Sequence, residues 1–120
     1  MASIEVTETN IQSTIDDNDI VILDFWAEWC GPCKAFGPTF EKASEAHTDI
    51  VFGKIDTQAQ QNLAGQLQIS SIPTVMVFRE KVLLFRQSGM LPAPALEQLI
   101  QQVRDVDMEE VHKKVAEEAS

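Results

Sequence analysis

Trp26-Ala27-Glu28-Trp29-Cys30-Gly31-Pro32-Cys33-Lys34 decides how the rest of this chain is read. The stretch closes a run rich in β-branched and aromatic residues, Ile20 to Trp26, which reads as a buried central strand. It opens a helical pattern over residues 30–46, with Phe36, Phe40 and Ala43 on one face. A thiol at a helix N-terminus faces unpaired backbone N–H groups and the positive end of the helix dipole. Both favour thiolate over thiol, so the Cys30 pKa should fall toward neutrality, and thiolate is the nucleophilic form. Cys33, one turn along, can reach back to Cys30 and close a disulfide. Pro32 is tolerated in a first helical turn.

These are the only two cysteines in 120 residues. A loop this short staples almost nothing, so chemistry is the more natural reason for the pair. Half of a zinc site is one competitor, but a structural site needs four ligands and neither His47 nor His112 stands at suitable spacing. A purely structural pair is another. Redox use is the reading preferred here.

Composition bounds the rest. The apolar share is 44% and the charged share 23%, ordinary for one globular domain with its own core. The net charge of −10, with lysines and arginines scattered, argues against nucleic acid and anionic membrane as partners. Residues 1–20 hold no Lys or Arg and no long apolar run, so no targeting segment is read and a cytoplasmic monomer is expected.

Strand-like and helix-like segments alternate along the chain. Thr7 or Thr9 should cap a short helix bearing Ile11 and Ile15. Pro38 should kink the helix over 30–46. Ile50 to Ile55 reads as a parallel strand, and residues 59–68 as a short helix with Leu63 and Leu67. Thr74 to Phe78 and Val82 to Phe85 read as antiparallel strands, too closely joined for a crossover. Pro92 or Pro94 opens a helix with Leu96, Leu99, Ile100 and Val103. The order implies an α/β fold, a central mixed sheet with helices on both faces. Residues 1–104 are taken as the domain. Residues 105–120 are taken as an acidic, helical tail with an Asp107–Glu110 capping box and six acids against two lysines. The tail reads either as a marginal surface helix or as a docking element.

WCGPC after a strand beginning Asp-Phe-Trp-Ala resembles the active site of thioredoxins. Ile72-Pro73-Thr74 resembles that family's cis-proline loop, and Asp24, six residues before Cys30, its buried acid. The resemblance runs from about Ile4 to Val103. It implies the thioredoxin fold and a protein-disulfide reductase with no cofactor beyond its own Cys30–Cys33 pair. Electrons would come from a thioredoxin reductase, and the substrates would be disulfide-containing proteins. It implies Cys30 as nucleophile, Cys33 as resolving thiol and Asp24 as proton acceptor, with Lys54 beside the acid. Trp29, Gly31, Pro32, Ile72, Pro73 and Gly89 would form the substrate-contact surface, and Trp26 would pack against the active-site helix. From packing alone, Asp24 could instead lie partly wet at a strand end, and His47 and His112 read as solvated. An oxidase or isomerase of the same fold, and an interaction module whose thiols are idle, are the rival readings. Arg79-Glu80-Lys81, without glycine, leaves the turn between the last two strands undefined, and Gln58 stands where the family often has an acid.

Overall fold

The Ile20–Trp26 run becomes strand β2, and its position explains its composition. In the computed structural model, which describes residues 2–119, β2 lies at the middle of a five-stranded sheet. A strand covered on both faces needs apolar residues at nearly every position, and only Trp26 at its end is less than fully buried. The sheet order is β1-β3-β2-β4-β5. β3 (Val51–Asp56) runs parallel to β2, and β1 (Ile4–Glu5) runs parallel to β3. β4 (Thr74–Arg79) and β5 (Val82–Ser88) are antiparallel additions on the other side.

Alternation along β2 divides the core. Ile20 and Ile22 point to the layer of α2 (Gly31–Ala46) and α4 (Ala93–Asp105), meeting Phe36, Phe40, Leu96 and Ile100. Val21, Leu23 and Phe25 face α1 (Ile11–Asp16) and α3 (Gln61–Gln66), meeting Leu63, Met76 and Ile11. Phe40 meets Phe52 edge to face at 5.3 Å. Each of these fully buried side chains contributes about 1.5–3 kcal/mol of transfer free energy. The expected mixed sheet covered on both faces is therefore observed.

Several boundaries differ from the sequence reading. β1 has no counterpart there, because two residues carry no periodicity. Asn10, not Thr7 or Thr9, precedes α1; Thr7 instead organises the turn, its N–H donating to Asn10 Oδ1 at 2.7 Å. β3 starts at Val51, α3 ends at Gln66, and β5 continues to Ser88, where Thr74 pairs with it across the ladder. α2 runs unbroken through Pro38, whose missing N–H leaves the Lys34 carbonyl without its helical donor.

The tail forms α5 (Met108–Ala119). Asp107 Oδ1 accepts from the Glu110 N–H at 3.3 Å, and Met108 is buried. The guanidinium of Arg79 donates to the carbonyls of Val103, Arg104 and Val106, satisfying the end of α4 before the chain turns into α5. The histidines are not simply solvated. His47 is partly buried between Glu97 (2.7 Å) and Arg104 (3.1 Å), and His112 of α5 meets Glu80 at 2.7 Å.

Arg79 pairs with Val82, so Glu80 and Lys81 are a two-residue hairpin loop. Both have positive φ, 49° and 71°, the conformation a primed turn demands. A side chain there costs about 1–2 kcal/mol against glycine's entropic cost of about 0.5–1. Lys81→Gly is therefore expected to raise stability by about 0.5–1 kcal/mol, read as a higher denaturant midpoint at unchanged slope. Gly53 shows the opposite case. A Cβ built there meets Val6 Cγ2 at 2.5 Å and Leu23 Cδ2 at 3.0 Å, and both neighbours are fully buried. Gly53→Ala should lower stability by about 1–3 kcal/mol in the same measurement.

Candidate active site

β2 ends at Trp26 and the chain turns through Ala27, whose carbonyl accepts from the Cys30 N–H at 3.1 Å. Cys30 then caps α2. Its backbone is extended (φ −88°, ψ 108°), and its Sγ accepts from the Cys33 N–H at 3.2 Å. A sulfur thus takes the place usually held by a Ser, Thr or Asp oxygen. Negative charge on that sulfur would meet both the N–H group and the helix dipole. Cys30 and Cys33 are joined as a disulfide with Cα atoms 5.2 Å apart, inside the usual range. Pro32 lies in the first turn, and nothing crowds the Cα of Gly31.

The second component comes from far along the chain. The Ile72–Pro73 peptide is cis, and the Ile72 carbonyl oxygen lies 3.7 Å from Cys30 Sγ. The Pro73 carbonyl accepts from the Gly89 N–H at 2.7 Å, and Gly89 has φ 102°, a conformation that favours glycine. Thr74 Oγ1 donates to the Ser71 carbonyl at 2.6 Å. Trp29, next to Cys30 in sequence, is 67% exposed. It shares a groove of about 270 Å³ with Thr57, Ile69, Ser70, Ser71 and Ile72. A larger hollow of about 500 Å³ between α2 and α4, lined by Pro38, Ala43, Ala93 and Leu96 among others, includes neither cysteine.

Asp24 is the third component. It is fully buried in β2, and neither carboxyl oxygen has a hydrogen-bond partner. The alternative of a partly wet strand end does not hold. Burial pushes the Asp24 carboxyl up to about 7, against the opposing pull of the positive charge on Lys54. Lys54 stands beside Asp24 in the parallel register, but its Nζ sits over the Trp26 ring, 4.9 Å from the centroid. Lys54 therefore acts on the acid through space. Trp26 packs with Ala27 and both cysteines, as expected of a supporting residue.

The residues singled out from the sequence converge on one end of the sheet. Two that were not singled out join them. Thr57 donates from Oγ1 (3.0 Å) and N (2.9 Å) to the Trp26 carbonyl, holding the strand end that leads to Cys30. Met90 follows Gly89 and is 46% exposed. Neither belongs to a local pattern, and the contact partner of Thr57 lies 31 positions away. Among the described residues no group of three or more His, Cys, Asp or Glu is placed to hold a metal, and no helix is long and apolar enough to cross a membrane.

The arrangement is matched in known proteins. The thioredoxin family model matches residues 2–117. A Streptomyces coelicolor protein assigned as a putative thioredoxin 2 is 56% identical over 117 residues, covering 98% of this chain and 87% of that one. Among solved structures, Plasmodium falciparum thioredoxin is 35% identical with a TM-score of 0.76, covering 83% of this chain and 97% of that one. A mutant thioredoxin from Halobacterium salinarum is 31% identical with a TM-score of 0.80, covering 88% of this chain and 94% of that one. A Cys-Gly-Pro-Cys pair capping a helix beside a cis-proline loop, in a chain matched across almost its whole length, places this protein in the thioredoxin family, thiol–disulfide oxidoreductases that reduce protein disulfides.

Proposed function

We propose that this chain is a monomeric cytoplasmic reductase in which Cys30 attacks, Cys33 resolves and Asp24 receives the proton. One observation carries the reading: the sulfur at the cap of α2 lies 3.7 Å from the Ile72 carbonyl, and the strand that leads to it buries an unpartnered carboxyl group. The Cys30 thiolate attacks one client sulfur, a Cys30–client bond forms, and the other client sulfur leaves as thiolate. Cys33 then gives its proton toward Asp24, directly or through water, and attacks Cys30 Sγ. The second client thiol is released and the Cys30–Cys33 disulfide remains, two electrons having passed to the client. Thioredoxins draw those electrons back from a thioredoxin reductase, and the same donor is assigned here.

Lys54, held over Trp26, lowers the cost of charge on Asp24 whenever the acid is ionised and ready to take a proton. The surface formed by Trp29, Gly31, Pro32, Gly89 and the part-buried Ile72, with Pro73 buried beneath it, receives the client. The Ile72 backbone would pair with an extended client segment, so main-chain hydrogen bonds would serve many sequences. The cytoplasmic assignment is supported by cysteine usage: two cysteines, both in the redox pair, fit a reducing compartment better than an oxidising one.

Cys33→Ser tests the roles. Incubated with a disulfide-bearing protein, this variant should accumulate a mixed disulfide on Cys30 that a small thiol reductant releases, and Cys30→Ser should accumulate none. Absence of any adduct on Cys33→Ser would remove Cys30 as nucleophile.

Asp24 also sets a pH dependence of stability. The unfolded carboxyl loses its proton near 3.8, whereas the folded one keeps it to about 7. Between these values the native state binds more protons than the unfolded chain, so stability falls as pH rises. The whole window is worth on the order of 4 kcal/mol. Asp24→Asn should flatten this slope and be more stable than the parent above neutral pH, by denaturant unfolding across the window. An unchanged slope would mean that Asp24 is not the titrating group.

A further inference from the structure

We infer that Glu5, in the edge strand β1, is a positioning residue for the proton transfer: it draws the Lys54 ammonium outward, toward a hollow at the sheet edge, and so away from Asp24. The inference rests on the reading of Asp24 as proton acceptor and deepens it. The sheet register sets the three side chains in one row. Glu5 of β1 is the partner of Lys54 in β3, and Lys54 is the partner of Asp24 in β2. Residues paired across parallel strands point to the same face, and neighbouring strands lie about 4.8 Å apart. Lys54 therefore stands between two carboxyl groups, one on each neighbouring strand. Beyond Asp24 the row continues into Val75 and Gln87, which carry no charge.

The two carboxyl groups differ in their surroundings. Asp24 is fully buried and Glu5 is exposed. Lys54 lines a hollow of about 170 Å³ together with Ser3, Ile4, Glu5, Trp26 and Asp56, and Asp24 does not line it. The ammonium sits over the ring of Trp26, on the side of that hollow. The other acids of this face are already engaged. Asp56 Oδ1 accepts from the backbone N–H groups of Gln58 (2.9 Å) and Ala59 (3.3 Å). The carboxylate of Glu41, from α2, accepts from Ser3 Oγ. Glu5 is the carboxylate left to attract Lys54. A positive charge beside an acid favours its ionised form, so holding Lys54 outward leaves Asp24 the stronger base and better able to take the Cys33 proton. Replacing Glu5 by a neutral residue lets Lys54 lean toward Asp24 and makes the acid easier to ionise.

The test follows the Asp24 carboxyl carbon by NMR against pH in the full chain, kept in the disulfide form so that neither cysteine titrates. The acid limb of the pH profile for insulin reduction is measured alongside. Glu5→Gln is expected to lower the Asp24 midpoint by about half a pH unit, a three-fold change in its ionisation constant, and to move the acid limb down with it. Glu5→Asp keeps the charge and should restore the parent midpoint, whereas Glu8→Gln, outside the hollow, should leave it unchanged. In a Lys54→Met background the effect of Glu5→Gln should disappear. About 1 M salt, with a screening length of about 3 Å, should also shrink it. No shift with Glu5→Gln, an equal shift with Glu8→Gln, or a shift that persists without Lys54 would each overturn the inference. If the Asp24 midpoint moves with Glu5→Gln while the acid limb stays where it was, the proton-acceptor reading of Asp24 fails instead.

Discussion

An unpartnered carboxyl group buried in the central strand is the constraint on which the site depends. Every other residue of β2 from Ile20 to Phe25 is apolar, and packing alone would favour another apolar residue at Asp24. A buried polar group without a partner costs the full desolvation penalty, several kcal/mol if it stays charged. The fold meets that cost by keeping the carboxyl protonated to about neutral pH and by placing the Lys54 charge nearby but not in contact. The result is a carboxyl group that titrates near neutral pH, as the proposed proton-acceptor role requires. The penalty is tolerable because the apolar layers on either side of β2 supply ample burial.

The thiol pair depends on different physics. Cys30 stands at the boundary between an extended strand exit and a helix, where one sulfur can meet both an unpaired N–H and the helix dipole. Thr57 clamps the strand exit from the neighbouring β3 side, and the cis-proline loop closes the opposite flank. Hydrogen bonds to backbone groups, rather than long side chains, hold this geometry.

The periphery is organised by charge. Arg79 satisfies three carbonyls at the end of α4, and Arg104 pairs with Asp49 at 2.7 Å and lowers the Asp49 carboxyl to about 2, chiefly by that hydrogen bond. The Arg104–Asp49 pair is largely exposed, and such pairs contribute little individually. The use of both arginines is geometric: they fix where α4 ends and let α5 leave with Met108 buried beneath it. The family match extends through most of α5, to residue 117.

Elements with strong periodicity were legible in the chain itself. β2, α2 and α4 fell where their apolar spacing put them, because burial on one or both faces dictates residue type at each position. The Cys-Gly-Pro-Cys stretch and its place at a helix start were legible for a related reason: capping and dipole effects act within one turn. What the sequence could not decide was everything that depends on distant backbone. β1 gains its strand character only from β3, and the Glu80–Lys81 turn accepts positive φ because the β4–β5 register demands it. Asp24 could be assigned as buried rather than wet only once α2 closed over its strand. Thr57 and Met90 join the site only because parallel crossovers and the Gly89–Pro73 hydrogen bond carry them there. Local physics sets what each segment can be, while proximity, desolvation and register are properties of the assembled sheet.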